Sequence, residues 1–290
     1  MISIAHLGPP GTYAEQAALR YVSWLTKNTK TEASLSPYSS IFQTLYSVAK
    51  GQADLAVVPV ENSIQGGVTV TLDTLWQLDN LQIQLALVVP ITHTLISCSQ
   101  SLDSIKTVYS HPQALAQCQK WLEKFLGQIQ LIPSNSTTEA LQKLESDKTA
   151  AAISSLRAAQ LYNLPVLANG INDYPDNCTR FLVVSQLDNS PNHDNILRNT
   201  AFYTSLAFSV PANLPGVLVK PLQVFADQNI NLSKIESRPT KRSLGEYLFF
   251  MDLEADVSST KMQSALAELS NYTEILKIFG SYNVLPTESL

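Results

Sequence analysis

Cysteine is scarce in this sequence, and so is histidine. The three cysteines, Cys98, Cys118 and Cys178, are odd in number and widely spaced, and no two of them form a CxxC pair. This pattern excludes a disulfide framework and a zinc knuckle. The four histidines are isolated from one another, so their spacing builds no metal site. We therefore expect a protein of a reducing compartment that uses no metal.

Sequence motifs for nucleotides and for hydrolases are also missing. The chain has no P-loop, no GxGxxG motif and no GxSxG motif. ATP, dinucleotide and α/β-hydrolase chemistry are therefore without support. We expect chemistry that needs no cofactor.

An excess of positive charge and long apolar runs are lacking as well. The formal net charge is -5, and lysine and arginine are dispersed without a basic block, so the sequence predicts no binding to nucleic acid or to an anionic membrane surface. No apolar run reaches transmembrane length, and the first residues lack a signal-peptide pattern. We expect a soluble, cytoplasmic protein whose partner is a small molecule.

What the sequence does contain is enough apolar residues for a substantial core. With 290 residues and a hydrophobic composition of 45%, the chain is long enough for about two domains. From Ile2 to Asn163, short apolar strands alternate with helical patterns. This alternation predicts an α/β domain in residues 1–187, with parallel sheets flanked by helices and with ligands bound beyond the C-terminal ends of the strands. Within this domain we expect one continuous helix from near His111 to Phe125.

A polar stretch interrupts the alternation after the first domain. Residues 188–199, rich in Asn, Asp and Ser, predict a linker. Residues 200–290 then follow the order strand, helix, two strands, helix and strand, which predicts a βαββαβ module on the ferredoxin-like plan. Its first helix is expected to begin at Pro215, and its last strand is expected to run from Thr273 to Phe279.

Small polar residues gather where predicted strands lead into predicted helices. Such turns meet along one rim of a parallel sheet, where helix N-termini present unpaired N–H groups and the positive end of the helix dipole. This arrangement suits a ligand with carboxylates, although ordinary helix capping is the commoner explanation of any single position. The residues concerned are Thr12, Ser39, Ser40, Asn62, Ser63, Ser110, His111, Ser154, Ser155, Thr179 and the stretch from Ser134 to Thr138.

Two segments near this rim carry charged groups. The tripeptide Glu61-Asn62-Ser63 follows an apolar strand and precedes two glycines, and loop-borne polar groups on a rigid scaffold are good site candidates. Arg180 begins a strand directly after a polar loop. It can bind a carboxylate through two donors, with a surface ion pair as an equally good alternative.

Four segments stand out in order along the chain: GPPGTYAEQA (residues 8–17), VPVENS (58–63), SHPQALAQC (110–118) and NCTRF (177–181). Together they resemble the signature segments of the bacterial prephenate dehydratases, and the resemblance extends throughout nearly the whole chain. It implies an α/β catalytic part of two lobes, built like type II periplasmic binding proteins, with the substrate in the cleft between the lobes, and it implies a homodimer or homotetramer. The C-terminal residues 214–220 and 231–240 are similar to the family's regulatory ACT domain.

The resemblance also implies a reaction and roles for particular residues. The implied substrate is prephenate, which loses CO2 and water to give phenylpyruvate on the route to phenylalanine. The family's essential threonine matches Thr179, as a hydrogen-bond donor to the departing hydroxyl, and its Glu-Asn pair matches Glu61 and Asn62. A catalytic glutamine lies in the third segment, where both Gln113 and Gln117 stay open. The implied substrate-binding residues are Thr12, Ser39, Ser63, Ser154 and Arg180.

The ACT resemblance implies L-phenylalanine as an allosteric effector. The effector is expected where two modules meet, between a loop of one subunit and a strand end of its neighbour. Family members often have Gly-Ala-Leu in this loop, where this chain has Gly216, Val217 and Leu218. The change from alanine to valine adds bulk near the expected pocket. The implied effector-binding residues are Asn213, Leu214, Pro215, Gly216, Val217, Leu218, Glu236, Ser237, Arg238 and Pro239.

Two other functions stay open at the level of sequence. A non-catalytic amino-acid-sensing binding protein can use the same two-lobed architecture, because a fold does not fix a function. Arogenate dehydratase, a close relative, acts on the amino-acid analogue of prephenate and releases phenylalanine.

Overall fold

The structure, a computed structural model, describes residues 1–145, 147–187 and 202–285. The predicted linker, residues 188–199, lies outside the described residues. Within the described ranges, no helix combines the length and the apolar character that crossing a membrane requires.

The first part of the chain alternates strands and helices, as predicted. Its strands are β1 (Ile2–Leu7), β2 (Ala33–Tyr38), β3 (Leu55–Asn62), β4 (Gly66–Gly67) and β5 (Leu81–Pro90). Its helices are α1 (Tyr13–Thr29), α2 (Ile41–Ala49) and α3 (Thr69–Gln77). Hydroxyl caps start two of these helices, because Thr12 Oγ1 accepts from the N–H of Glu15 at 3.3 Å and Ser40 Oγ accepts from the N–H of Gln43 at 3.2 Å. We call this part the first lobe.

The second lobe follows in the chain. Its strands are β6 (His93–Ile96), β7 (Thr107–Ser110), β8 (Gln130–Pro133), β9 (Ala150–Ser155) and β10 (Val166–Asn169). Its α-helices are α4 (Pro112–Ala116), α5 (Gln119–Leu126) and α6 (Leu156–Leu161). The strands form a sheet in the order β10-β6-β9-β7-β8, and Leu95, Val108 and Ile153 belong to its buried core.

Strand β11 (Cys178–Gln186) brings the chain back to the first lobe, where it lies antiparallel between β3 and β5. In the second lobe, β6 is antiparallel to β9 and β10. Only some pairs are parallel, such as β1 with β2 and β7 with β8. The prediction of parallel sheets was therefore wrong. A strand that enters a lobe from the side of the other lobe is antiparallel to a strand that ends on that side. Both sheets are therefore mixed.

The C-terminal residues form the predicted βαββαβ module. Its elements are β12 (Phe202–Ser209), α7 (Val219–Asp227), β13 (Leu232–Pro239), β14 (Tyr247–Leu253), α8 (Thr260–Leu269) and β15 (Ile275–Leu285). The strands are antiparallel in the order β13-β14-β12-β15, which is the ferredoxin-like plan. Beyond the predicted end at Phe279, β15 continues and pairs in parallel with β5. The module and the first lobe therefore share one ten-stranded sheet.

Both faces of the module's sheet are covered. One face packs on α7 and α8 through residues such as Phe208 and Val224. The other face packs on the first lobe, where Phe250 lies in the same apolar cluster as Leu72 and Ile83. Full burial of one such side chain contributes roughly 1.5–3 kcal/mol, so this cluster holds the module firmly against the first lobe.

The helix predicted from near His111 to Phe125 is divided into α4 and α5. The carboxylate of Asp173 accepts from the N–H groups of Lys120 and Trp121 at 3.0 and 3.1 Å. These contacts satisfy the free N–H groups of a new helix start. The single apolar stripe in the sequence therefore spans two short helices.

The first helix of the C-terminal module also differs from prediction. The helix expected to begin at Pro215 begins at Val219, because Gly216 has a φ of +77° that a right-handed helix does not allow. In the second lobe, a short 3₁₀ helix runs from Glu139 to Lys143.

Candidate active site

A cleft of about 930 Å³ lies between the two lobes. On the first lobe it is lined by the starts of α1 and α2 and by the adjoining ends of β3 and β11, and on the second lobe by α4 and residues 135–139. The predicted site residues that line it are Thr12, Ser39, Asn62, Gln113, Gln117 and Thr179.

Thr179 and Asn62 form a hydrogen-bonded pair where their strands meet the cleft. They face each other across the β3–β11 pairing, and Asn62 Nδ2 donates to Thr179 Oγ1 at 3.0 Å. The side-chain oxygen of Asn62 accepts from the N–H groups of Ile64 and Gln65 at 3.1 and 3.2 Å, which fixes the orientation of the amide. Because the Thr179 oxygen accepts from Asn62, the Thr179 hydrogen is left for an acceptor in the cleft.

Further amides extend this network into the second lobe. Asn62 Nδ2 also donates to Asn177 Oδ1 at 2.8 Å, and Asn177 Nδ2 donates to Gln117 Oε1 at 2.9 Å. Gln117 is 4% exposed, and its Nε2 has no hydrogen-bond partner among the described residues. A buried donor without an acceptor costs roughly 1–3 kcal/mol. The Gln117 amide is therefore poised to bind an acceptor that enters the cleft.

His93 and Tyr13 complete the network, although neither was predicted as a site residue. His93 Nε2 lies 2.8 Å from Gln117 Oε1, and His93 Nδ1 lies 3.0 Å from the Tyr13 hydroxyl. Burial lowers the pKa of His93, with the hydrogen bond to Gln117 acting in the opposite direction, and burial raises the pKa of Tyr13. Both groups are therefore neutral at neutral pH. Neutral His93 orients Gln117 by donating through Nε2.

No lysine or arginine is found among the described residues that line the cleft. Positive potential comes instead from the starts of α1 and α2, each equivalent to about half an elementary charge. Thr12 caps α1, and the Ser39 hydroxyl donates to Gln43 Oε1 at 2.6 Å beside the start of α2. The site is thus suited to carboxylates through N–H groups, hydroxyls and amides.

Glu61 and Arg180 lie outside the cleft, on the opposite face of their strands. Successive residues of a strand point to opposite faces, so Arg180 points away when Thr179 points into the cleft. Arg180 pairs with Glu61 at 2.9 Å and with Asp252 of β14. This placement does not fit the expectation that Arg180 binds a substrate carboxylate, or that Glu61 acts on the substrate directly.

Ser63 and Ser154 also do not line the cleft. Ser63 Oγ accepts from the N–H of Cys178 at 3.0 Å, which supports the turn that leads into Thr179. Ser154 is fully buried in β9, and its hydroxyl has no partner among the described residues. Ser63 thus supports the site from outside the cleft, and Ser154 lies within the sheet.

The predicted effector loop lies on the surface of the module. Asn213 lines a pocket of about 300 Å³ together with residues of the 240–247 turn. Leu214 is 63% exposed, and the turn around Gly216 leads into α7. An exposed apolar loop of this kind is available to a ligand or to a second subunit.

The predicted effector strand presents two different faces. Glu236 and Arg238 face the first lobe, where Arg238 pairs with Asp73 of α3 at 3.1 Å. Ser237 and Pro239 are exposed on the other face of β13. Among the residues that the structure describes, the second face of β13 is the one left exposed.

These features define a class of protein. The chain is a two-lobed α/β protein with an amide- and hydroxyl-lined cleft between its lobes, joined to a ferredoxin-like module.

Comparison with known proteins identifies the family. The family model of prephenate dehydratase matches residues 4–189, and that of the ACT domain matches residues 204–271. The chain belongs to the prephenate dehydratase family and carries an ACT domain.

Curated relatives have the same family name. A bifunctional chorismate mutase/prephenate dehydratase from Aquifex aeolicus is 41% identical over 281 residues, which are 97% of this chain and 73% of the relative. A prephenate dehydratase from Methanocaldococcus jannaschii is 34% identical over 95% of this chain and 96% of its own.

Solved structures share the fold. The structure of a prephenate dehydratase from Arthrobacter aurescens in complex with L-Phe has a TM-score of 0.86 and 34% identity, covering 97% of this chain and 90% of that chain. A quorum-quenching acylase has a TM-score of 0.80 and 27% identity, with 99% of both chains covered. Because proteins of two activities share this fold, the function has to be argued from the site.

Proposed function

We propose that this protein is a prephenate dehydratase that converts prephenate to phenylpyruvate, CO2 and water in phenylalanine biosynthesis, in the cytoplasm. The single observation that carries this proposal is the Thr179–Asn62 pair, which leaves the threonine hydrogen free at the wall of the interlobe cleft. We assign catalysis to residues 1–187 and regulation to residues 200–290.

Substrate binding follows from the donors of the cleft. Prephenate carries a ring carboxylate and a pyruvyl carboxylate. The starts of α1 and α2, with Thr12 and Ser39, supply donors and helix-dipole charge for one or both carboxylates. Gln117 supplies its unpaired amide N–H groups, which makes it the better candidate than Gln113 for the catalytic glutamine.

The chemistry requires two bonds to break while the ring becomes aromatic. The bond between the ring and its carboxylate breaks, CO2 departs, and the electron pair enters the ring. The ring C–O bond breaks on the other side, and the leaving hydroxyl takes up one proton, which comes from solvent, and departs as water. Thr179 donates a hydrogen bond to this leaving oxygen. A threonine hydroxyl is a weak acid, so its assigned role is that of an oriented donor.

The site argues against acylase chemistry. A hydrolytic acylase typically needs a serine, threonine or cysteine nucleophile that is hydrogen-bonded to a base. The side chain of His93 contacts Tyr13 and Gln117, and that of His111 accepts from the backbone of Gln113. Among the described residues, neither of these cleft histidines hydrogen-bonds a serine, threonine or cysteine.

For the ACT domain we propose regulation by L-phenylalanine. Support comes from the L-Phe complex of the Arthrobacter relative. The exposed loop that contains Asn213 and Leu214, and the free face of β13 with Ser237 and Pro239, are the surfaces we assign to the effector and to a second subunit of a homodimer or homotetramer. Glu236 and Arg238 belong to the contact with the first lobe.

The proposed function is tested by incubating the purified protein with prephenate and with arogenate, and by measuring phenylpyruvate and phenylalanine as products. Formation of phenylpyruvate from prephenate is the expected result. Turnover of arogenate alone would make the protein an arogenate dehydratase, and turnover of neither substrate would favour a binding protein. Thr179→Ala serves as the control that locates any activity in the cleft.

A further inference from the structure

The strands that carry Thr179 and Asn62 place a second pair of residues directly behind them. In the β3–β11 ladder, Thr179 lies opposite Asn62, and Arg180 lies opposite Glu61. The first pair faces the cleft, and the second pair faces the C-terminal module, because successive side chains alternate. The ladder is irregular directly after Arg180, as is common beside active sites.

A carboxylate of the C-terminal module joins this second pair. Arg180, with 14% of its side chain exposed, pairs with Glu61 at 2.9 Å and with the 12% exposed carboxylate of Asp252 on β14. The Asp252 carboxylate is fixed in place because it accepts a hydrogen bond from the Ser205 hydroxyl. The Ser205 oxygen in turn lies 2.7 Å from the hydroxyl oxygen of Tyr282. Burial alone would lower the pKa of Arg180, but the charges of Asp252 and Glu61 raise it.

A second contact reaches the β3–β4 hairpin, which carries Asn62 and Glu61. Gly67 of β4 lies opposite Glu61, and the carboxylate of Glu236 lies so close to Gly67 that a methyl group there would collide with it. Lys234 Nζ lies between two carboxylates, 4.0 Å from Glu61 and 3.6 Å from Glu236. Strand β13 of the module therefore contacts the β3–β4 hairpin at two points, Gly67 and Glu61.

These contacts make the positions of Thr179 and Asn62 dependent on the C-terminal module. Arg180 is buried between two carboxylates, and Glu61 alone would leave its charge only partly compensated, which is unfavourable. The position of Arg180 therefore depends on Asp252. Arg180 is adjacent in the chain to Thr179, and any shift of Arg180 turns the backbone that aims the threonine hydroxyl. A misplacement of about 1 Å at a reacting group can cost about 100-fold in rate.

We propose that Asp252 is a positioning residue for the dehydratase reaction, which acts through Arg180 to aim Thr179 and Asn62 at the substrate. The inference rests on the proposed function. Catalysis in the cleft then depends on a carboxylate of the ACT domain that never touches the substrate.

The test compares two ion pairs that join the module to the first lobe. Asp252→Asn weakens the pair behind the catalytic residues. Asp73→Asn weakens the pair with Arg238 and Lys241, whose distances are 3.1 and 2.7 Å, on a carboxylate of similar burial but away from the β3–β11 ladder. The kcat and KM of the full-length variants are measured with prephenate, together with their melting temperatures.

We expect Asp252→Asn to lower kcat by at least about 10-fold with KM for prephenate within about 2-fold, and Asp73→Asn to keep kcat within about 2-fold of wild type. Equal kcat values for Asp252→Asn and wild type would overturn the inference. Equal losses of kcat in both variants would also overturn it, because they would show only loosening of the module.

Arg180→Lys keeps the inference testable if Asp252→Asn does not fold. It retains the buried charge but not the planar two-donor geometry. A lower kcat at constant KM supports positioning, whereas a raised KM at constant kcat would make Arg180 a substrate ligand and overturn the inference. If the wild-type protein does not turn over prephenate, the proposed function itself fails, which is a result distinct from any of these.

Discussion

Replacing Asn62 with aspartate is the perturbation whose consequences the structure specifies in most detail. The side-chain oxygen of Asn62 accepts two hydrogen bonds from backbone N–H groups. Its Nδ2 donates to Asn177 Oδ1, Cys178 O and Thr179 Oγ1. These three acceptors share the two hydrogens of the amide. A carboxylate keeps the two accepted bonds and loses both donor hydrogens. The hydrogen of Thr179 then turns toward the new carboxylate and away from the substrate.

The magnitudes follow from these losses. Removing one oriented donor from a transition state costs about 2.7–4 kcal/mol, or about 10²–10³ in kcat. Two lost donor hydrogens, at about 1 kcal/mol each, lower the free energy of unfolding by roughly 2 kcal/mol. We expect Asn62→Asp to be folded but less stable, with kcat at least about 100-fold below wild type.

The pH dependence gives this prediction a second signature. The introduced carboxyl is buried and faces three acceptors, so its pKa is raised. Protonation restores a donor toward Thr179, and the ratio of variant to wild-type kcat should therefore rise as the pH falls.

The assay is phenylpyruvate formation over the range in which carboxyl groups titrate, about pH 4–7, combined with thermal melting. Asn80→Asp is the matched control, because Asn80 is exposed and, within the described part of the chain, its side chain donates only to the carbonyl of Ala49, at 3.0 Å. A kcat of Asn62→Asp within about 3-fold of wild type, or a ratio that does not change with pH, would refute the reasoning.

Three further predictions address other parts of the account. Gln117→Leu should lower kcat/KM for prephenate by at least about 10-fold, and Gln113→Leu by less, when both are measured by steady-state kinetics; equal effects would remove the preference for Gln117. Gly67→Ala should fold, because only the flexible end of Glu236 must move, but inhibition by L-phenylalanine should change, and an unaltered inhibition curve would contradict the proposed contact. Burial lowers the pKa of His93 below its ordinary value of 6.5, so its contribution to stability is present above that pH and is lost as the pH falls, while the unfolded chain takes up the proton; His93→Gln should reduce the fall in Tm between about pH 7 and pH 5, and an identical fall in both proteins would disprove this.

Local patterns predicted much of the fold. The alternation of strands and helices in the first part of the chain and the βαββαβ order of the C-terminal module were predicted, and both are confirmed. The pairing of β15 with β5 and the antiparallel insertion of β11 were not predicted, because hydrophobic periodicity identifies strands but not their partners. Because the module and the first lobe share one sheet, deletion of the module would expose Leu72 and Ile83 of the first lobe.

The site was predicted in part. Resemblance to the family indicated Thr179 and Asn62, and the structure brings them together. The faces of Glu61 and Arg180 could have been inferred from the same segments, because neighbouring residues of a strand cannot point into the same cleft. His93 gave no signal, because an isolated histidine in an apolar strand looks like a core residue until its partners, Gln117 and Tyr13, are known.

The most direct test of the central claim is the kcat of Thr179→Ala with prephenate, measured beside Thr179→Ser and wild type. The account predicts a folded Thr179→Ala protein that still binds prephenate but has lost at least about 100-fold in kcat, and a Thr179→Ser protein that retains part of the activity through its hydroxyl. Formation of phenylpyruvate by Thr179→Ala at a rate near that of wild type would contradict it.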